Sequence, residues 1–397
     1  MRRFSEYIVE RLLMTSGAIT SLVILLIIIF LFKQGAGLFS KDSVEPGYSI
    51  VLNKSNKINT LSASEIKQIF DGEYTNWAQL GGSDTEIKTF RIDNITEYAT
   101  EEELGEELKY IPEVLSKIIK ENSSIIAYVP DIYLETKGEF KKLKIEKITL
   151  KQFFNGRQWF PTATPSAIFG TKPLILGSLW VSLGAILFAL PFGLAVAIYM
   201  AELASPKMRK ILKPIIELLS GIPSVVYGFF GLVVIVPLIQ KVFNLPVGET
   251  GLTGAFILAI MALPTIITVA EDAIRTVPVA TKEASLALGA THLQTIFKVT
   301  LPYCVSGLMA AFVLGIGRAI GETMAVLMVT GNAAVIPNSL LQPMRTIPAT
   351  IAAELGEAPA GGIHYEALFM LGTVLFIITM IISIVAEIFS AKRPKQR

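Results

Sequence analysis

Apolar residues in this chain come in long unbroken runs, at positions 12–32, 174–200, 215–239, 252–269, 303–330 and 367–388. At ~1.5 Å per helical residue, a run of ~20 residues covers the ~30 Å of a bilayer's hydrocarbon core. The pattern predicts six membrane-spanning helices. Between the first two runs, residues 33–172 follow a different rule, with short apolar stretches alternating with polar ones. In "SASEIKQIFDGEYTNWAQLGGSDTEIKTFRID" the spacing predicts an amphipathic helix ending near Gly72, a turn at Gly81 and Gly82, and a strand over 87–91. A helix over 113–120 and a strand in "SSIIAYVP" follow. The expected fold is an all-α polytopic membrane protein of six transmembrane helices with a small inserted α/β domain. Its parts are 1–32 (tip and first helix), 33–172 (inserted domain), 173–391 (five-helix core with a connecting loop at 271–302) and 392–397 (basic tail).

Charge sharpens this division. Of the 140 residues from 33 to 172, 18 are Lys or Arg and 20 are Asp or Glu, so the block is built for water. Elsewhere the basic residues cluster beside apolar runs, at Arg2, Arg3 and Arg11, in "KMRKILK" (207–213) and in "KRPKQR" (392–397). The bias of short-loop Lys and Arg toward one side predicts cytoplasmic N- and C-termini and a cytoplasmic loop 271–302, with block 33–172 outside. A plasma membrane of a bacterium or archaeon is the expected location, and membrane lipid the first partner. The first run exceeds the apolar core of a signal peptide, and "FKQGAGLFS" is a poor cleavage site, so it is expected to stay as a membrane helix. A net charge of +2 gives no footprint for nucleic acid. Cys304, the single cysteine, excludes an internal disulfide and is read as a packing residue. His292 and His364 need no special role, and no Cys, His and carboxylate set has metal-ligand spacing.

Two segments carry more than span information. The loop "EDAIRTVPVATKEASLALGATHLQTIFKVTLP" reads as two short helices joined at Gly289, with Thr291 capping the second and Pro302 marking entry to the next span. Such an elbow presents Ala287, Leu288 and Ala290 to a partner's groove, or lies in the interface as an amphipathic hairpin. In "GIGRAIGETMAVLMV" (315–329), Arg318 and Glu322 stand four residues apart within an apolar run, hence on one helix face. A charge in lipid normally faces the bundle interior or an aqueous path. Two readings follow: a neutralising latch between helices, or a site where Arg318 meets a passing anion while Glu322 limits how tightly it is held.

The elbow resembles the "EAA" loop of permease subunits of ABC importers. Glu283, Ala284 and Ser285 take its first three places, Gly289 the glycine, Val299 the isoleucine, and Leu301 and Pro302 the close. Ser285 and Val299 depart from that pattern only in size. The resemblance implies that the loop docks a cytoplasmic ATPase subunit and passes its closure to the spans. The chain has no G-x-x-x-x-G-K-[ST], so it is expected to bind no cofactor, and ATP and Mg are left to the partner ATPase.

"LLSGIPSVVYGFFG", "LALGATHLQTIFKVTLP" and "GIGRAIGETMAV" are similar to permeases of the phosphate-specific ABC importer, of the PstC type rather than the PstA type. That resemblance covers residues 169–388. It implies a non-enzymatic subunit of an ATP-driven phosphate importer, with a PstA-type second permease, two cytoplasmic ATPase subunits and an extracytoplasmic phosphate-binding protein as partners. It also implies that Arg318 and Glu322 line the substrate pathway. Alternatives are another oxyanion such as phosphonate, or a membrane sensor of external phosphate. In the polar block, "IKQIFDGEYTNWAQLGG" and "NSSIIAYVP" resemble stretches of the phosphate-binding protein, which leaves three uses for it: binding substrate, docking the free binding protein, or a structural insert.

Overall fold

Proline, glycine and capping residues decide where each element of this chain begins and ends. The computed structural model describes residues 2–105, 109–134 and 140–391. The basic tail 392–397 therefore lies outside the described residues. The chain splits into a membrane unit (Met1–Phe32, Lys172–Ala358, Leu368–Arg397) and a polar unit (Lys33–Thr171, Pro359–Ala367).

Helix α1 (Arg2–Ala36) holds the first apolar run. The polar unit then forms β1 (Tyr48–Asn53), β2 (Thr60–Leu61), α2 (Ala63–Phe70), β3 (Lys88–Arg91), α3 (Glu101–Leu104), α4 (Ile111–Glu121), β4 (Ile125–Pro130), β5 (Phe140–Lys142), β6 (Lys144–Ile145), α5 (Leu150–Asn155), β7 (Trp159–Phe160) and β8 (Ile168–Phe169). Its main sheet has the order β3-β4-β1-β5. Strand β1 runs antiparallel to β4, with Val51 opposite Ala127, while β3 runs parallel to β4, with Phe90 opposite Ala127.

The two-residue period of a strand sorts the side chains. Val51, Ile125, Ala127 and Val129 join Leu115 and Ile119 of α4 on one face. Ile50, Leu52, Ile126 and Tyr128 join Ile66 and Ile69 of α2 and Trp77 on the other. A strand covered on both faces has to be apolar throughout, which is why "IIAYV" shows no alternation. Helix α2 starts at a capping box: Glu65 N donates to Ser62 Oγ at 3.3 Å and Ser62 N donates to Glu65 Oε2 at 2.8 Å. Gly81 ends the following turn at φ 79°, a conformation that favours glycine.

After the polar block the chain continues with α6 (Lys172–Ile198), α7 (Pro206–Gly221), α8 (Ser224–Phe230), α9 (Val236–Phe243), α10 (Gly251–Arg275), α11 (Val279–Ala287), α12 (His292–Thr295), α13 (Leu301–Gly321), α14 (Met324–Val329), α15 (Ile347–Glu354) and α16 (Ile363–Ala391). Single π turns extend α6 at Tyr199–Leu203, join α8 to α9 at Gly231–Ile235 and join α12 to α13 at Ile296–Thr300. Among the described residues six helical segments are long and apolar enough to cross a membrane, as the hydropathy pattern predicts.

Two of the predicted runs are divided differently. The third span starts at Ser224, not at 215, because Pro223 has no N–H to continue a helix and Ile222 is extended (φ −69°, ψ 128°). Residues 215–221 instead complete the basic, amphipathic α7. The fifth run is not one helix either: it stops at Gly321 and restarts at Met324.

Candidate functional site

Small residues set the depth of each side chain in the bundle. A Cβ added at Gly184 of α6 would come within 2.9 Å of Ala255 in α10, and one at Gly193 within 2.8 Å of Ile266. One at Gly315 of α13 would come within 2.7 Å of Ile266, and Gly307 faces Ala273. Helices α10 and α13 are therefore antiparallel and closely packed, as small residues permit in lipid. Arg318, three residues beyond Gly315, stands level with about Leu263, the midpoint of the 25-residue α10. Arg318 thus lies near mid-depth of the bundle.

The arginine is partly buried, and its Nε is fully buried with no hydrogen-bond partner among the described residues. It occupies the last turn of α13. Glu322 follows in extended conformation (φ −71°, ψ 132°), and its Oε1 accepts from the Ala325 N–H of α14 at 3.4 Å. This corrects the expectation of one shared helix face: among the described residues no ion pair joins Arg318 to Glu322.

The helix ends compensate the charges instead. The C-terminus of α13 carries a partial negative charge beside Arg318, and the N-terminus of α14 a partial positive one beside Glu322. The break borders a cavity of about 530 Å³ whose walls include Gly321, Thr323, Pro348, Ile351 and Leu375. Arg318 is not one of its walls. Tyr227, which no charge marks in the sequence, is buried on α8 and donates its hydroxyl to Leu219 O at 2.8 Å, within electrostatic reach of Arg318. Gly228 beside it packs on Ala325 and Met328 of α14. Sequence gave a signal for this contact only in the "YG" pair inside an interrupted span.

The elbow forms as two short helices. Gly289 turns the chain at φ 87°, and Leu288 is 90% exposed. Thr291 caps α12 with a full capping box, and Ser285 Oγ lies 3.0 Å from Thr295 Oγ1, holding the two arms together. Glu283, Ala284 and Ala287 are exposed, Ala290 is half-buried, and α11 has no buried residue at all. The structure does not bring Val299, Leu301 and Pro302 to the elbow's tip: they lie in the π turn and first turn leading into α13.

The same end of the bundle holds a cluster that the loop pattern did not reveal. Glu271, 1% exposed, accepts from Arg209 (Nη2 at 3.0 Å, Nε at 3.3 Å) and pairs with Arg275 Nε at 3.1 Å. Arg209 also donates to Met200 O at 2.9 Å, and Lys282 of α11 pairs with Glu202 at 2.6 Å. Of these contacts Glu271–Arg275 is the local one, four residues apart on one helix.

In the polar unit, Tyr48 and Tyr128 stack at 4.9 Å beside a cavity of about 200 Å³ that Arg91, Asp93 and Thr164 help to line. Burial foremost, then the negative charge of Glu45, pushes the Tyr128 hydroxyl up to about 12. Asp131 is held below the usual aspartate range by hydrogen bonds from Lys142 (2.7 Å) and Ser49 (2.6 Å). Among the described residues no group of three or more His, Cys, Asp or Glu is arranged to hold a metal ion.

Residues 189–393 match the family model described as "Binding-protein-dependent transport system inner membrane component". The chain belongs to that family. Its members are membrane permease subunits of ABC importers, so this chain is a transport subunit and not an enzyme, and ATP use falls to a separate subunit. Within the family it is of the PstC type. It is 38% identical over 262 residues to a probable ABC transporter permease protein, YqgH, of Bacillus subtilis, covering 66% of this chain and 84% of that protein. It is also 38% identical to the phosphate transport system permease protein PstC of Mesorhizobium japonicum, covering 59% of this chain and 76% of the relative. Among solved structures, a putative phosphate ABC transporter substrate-binding protein from Clostridium perfringens aligns with 28% of this chain and 49% of its own, at 22% identity and a TM-score of 0.20.

Proposed function

We propose that this permease subunit imports inorganic phosphate, and that Arg318 is the cation that meets the anion halfway across. The observation that carries this reading is a guanidinium near mid-depth with a buried Nε and no ion-pair partner among the described residues. A helix C-terminus supplies only about half a unit of negative charge, so positive potential remains for an oxyanion. The planar guanidinium suits phosphate geometry. Glu322, held at the start of α14, lowers that potential and keeps the anion from being trapped. Relatives named as phosphate permeases support phosphate as the cargo.

One chain supplies half of a pathway. In this reading a PstA-type permease supplies the other half, two ATPase subunits sit in the cytoplasm, and a phosphate-binding protein delivers from outside. The elbow from Glu283 to Ala290 docks one ATPase subunit. Both termini then lie in the cytoplasm, with residues 33–172 on the outer side. The test is phosphate uptake into vesicles carrying the subunit and its partners. Arg318→Ala is expected to cut ATP-dependent uptake by at least ~30-fold, the equivalent of ~2 kcal/mol, with the ATPase still retained. Uptake at the native rate would remove Arg318 from the pathway. Absence of any ATP-dependent phosphate uptake by the native complex would sink the cargo itself.

A further inference from the structure

We infer that the Lys282–Glu202 ion pair couples the elbow to α6, and that Glu202 is a positioning residue for ATP-driven transport. The inference rests on the elbow being the ATPase dock, and it concerns what happens after docking. Helix α11 has no buried residue, so apolar packing does little to fix it against the membrane helices. The elbow of α11 and α12 is joined through the chain to α10 and α13. Helix α6 shares no short connection with the elbow, and among the described residues Lys282–Glu202 is the one ion pair that ties the two together.

The pair is built to hold. Nζ and Oε1 are 2.6 Å apart, and the side chains are 19% and 13% exposed, so water screens them poorly. Removing one partner leaves the other charge stranded in a poorly hydrated place. Glu202 also sits in the π turn at Tyr199–Leu203, where Ala204 N donates to Tyr199 O at 2.7 Å. That π turn closes α6, so the carboxylate that Lys282 holds belongs to the helix's last turn.

Neighbouring contacts show what would be held still and what would move. Arg209 grips Glu271 and the Met200 carbonyl, so the ends of α7 and α10 and the base of the π turn are pinned together. Glu202, two residues beyond Met200, is where the elbow takes hold. From there α6 runs back through the bundle to Ile186, whose Cδ1 lies 3.9 Å from where a Cβ on Gly315 would stand. Gly315 is three residues from Arg318. A pull on Glu202 therefore has a packed route to the proposed pathway residue, distinct from the direct one through α13.

The experiment uses the whole importer in vesicles, with its ATPase and phosphate-loaded binding protein, and measures phosphate moved per ATP hydrolysed. Glu202→Lys is expected to lower that ratio by about tenfold while the ATPase still co-purifies with the membrane subunits. Glu202→Gln should fall between Glu202→Lys and the native protein. Combining Glu202→Lys with Lys282→Glu should restore at least half of the native ratio, which assigns the loss to the pair itself, while the retained ATPase sets it apart from misassembly. A native ratio in Glu202→Lys overturns the inference, as does an assembled double variant no better than the single ones. Loss of the ATPase from native membranes after the elbow is deleted is what the docking reading requires. Retention of the ATPase there would sink that reading instead.

Discussion

The membrane unit and the polar unit hold together by different means. In the polar unit a sheet is covered on both faces, strand ladders satisfy the backbone, and large side chains such as Trp77, Phe90 and Phe153 fill the interior. In the membrane unit the helices close on one another where side chains are missing, at Gly184, Gly193, Gly307 and Gly315. The difference follows from the solvent. Water drives apolar bulk inward, whereas lipid is as apolar as leucine and leaves close packing to bind helix to helix. A volume lost should therefore hurt one unit, and a volume gained the other.

The largest expected effect is Trp77→Ala. Trp77 is 1% exposed and its Nε1 donates to Ser124 O at 2.8 Å, so truncation should cost ~3–5 kcal/mol and expose cut sites within residues 33–171 to protease. The membrane helices should keep their circular dichroism signal. Simultaneous loss of both would end the claim of separate cores. Next comes Gly315→Val, which crowds Ile266 and should cost ~1–3 kcal/mol, read as a lower unfolding temperature in detergent with the polar unit still protected. A native unfolding temperature would show that the helices have slack there.

Ser62→Ala removes one side of the α2 capping box and should cost ~1 kcal/mol, visible as faster amide exchange at the start of α2 alone. The smallest effect is acid-dependent. Because hydrogen bonding lowers the Asp131 pKa in the folded state, its contribution is full above the ordinary aspartate value of ~3.9 and fades as pH falls through the lowered value. Asp131 and Lys142 are each about half exposed, so Asp131→Asn should change stability by well under ~1 kcal/mol, and only above that window. An equal effect of Asp131→Asn at pH 3 and pH 7 would deny the link.

Much of the fold was readable because its causes are local. The boxes at Ser62 and Thr291 sit where serine or threonine is followed three residues on by Glu or Gln. Gly289 punctuates the elbow because few other residues accept a φ of 87°. The candidate site was only half legible. Arg318 was marked by its apolar surroundings, but its spacing from Glu322 suggested a pair that the broken helix does not form. Apolar composition reports that a segment avoids water, and it is silent on whether one helix or two half-helices do the avoiding.

The sequence by itself determined the six spans, the polar insert and the elbow, since run length, caps and turn residues act within a few positions along the chain. Tertiary structure alone decided that α13 ends beside Arg318, that Tyr227 lies near it, that Arg209 reaches Glu271 across 62 residues, and that Lys282 reaches Glu202 across 80. Those meetings depend on the register between helices, which is set by where glycine lets two backbones close together. No pattern along a single strand of residues encodes which glycine will meet which neighbour.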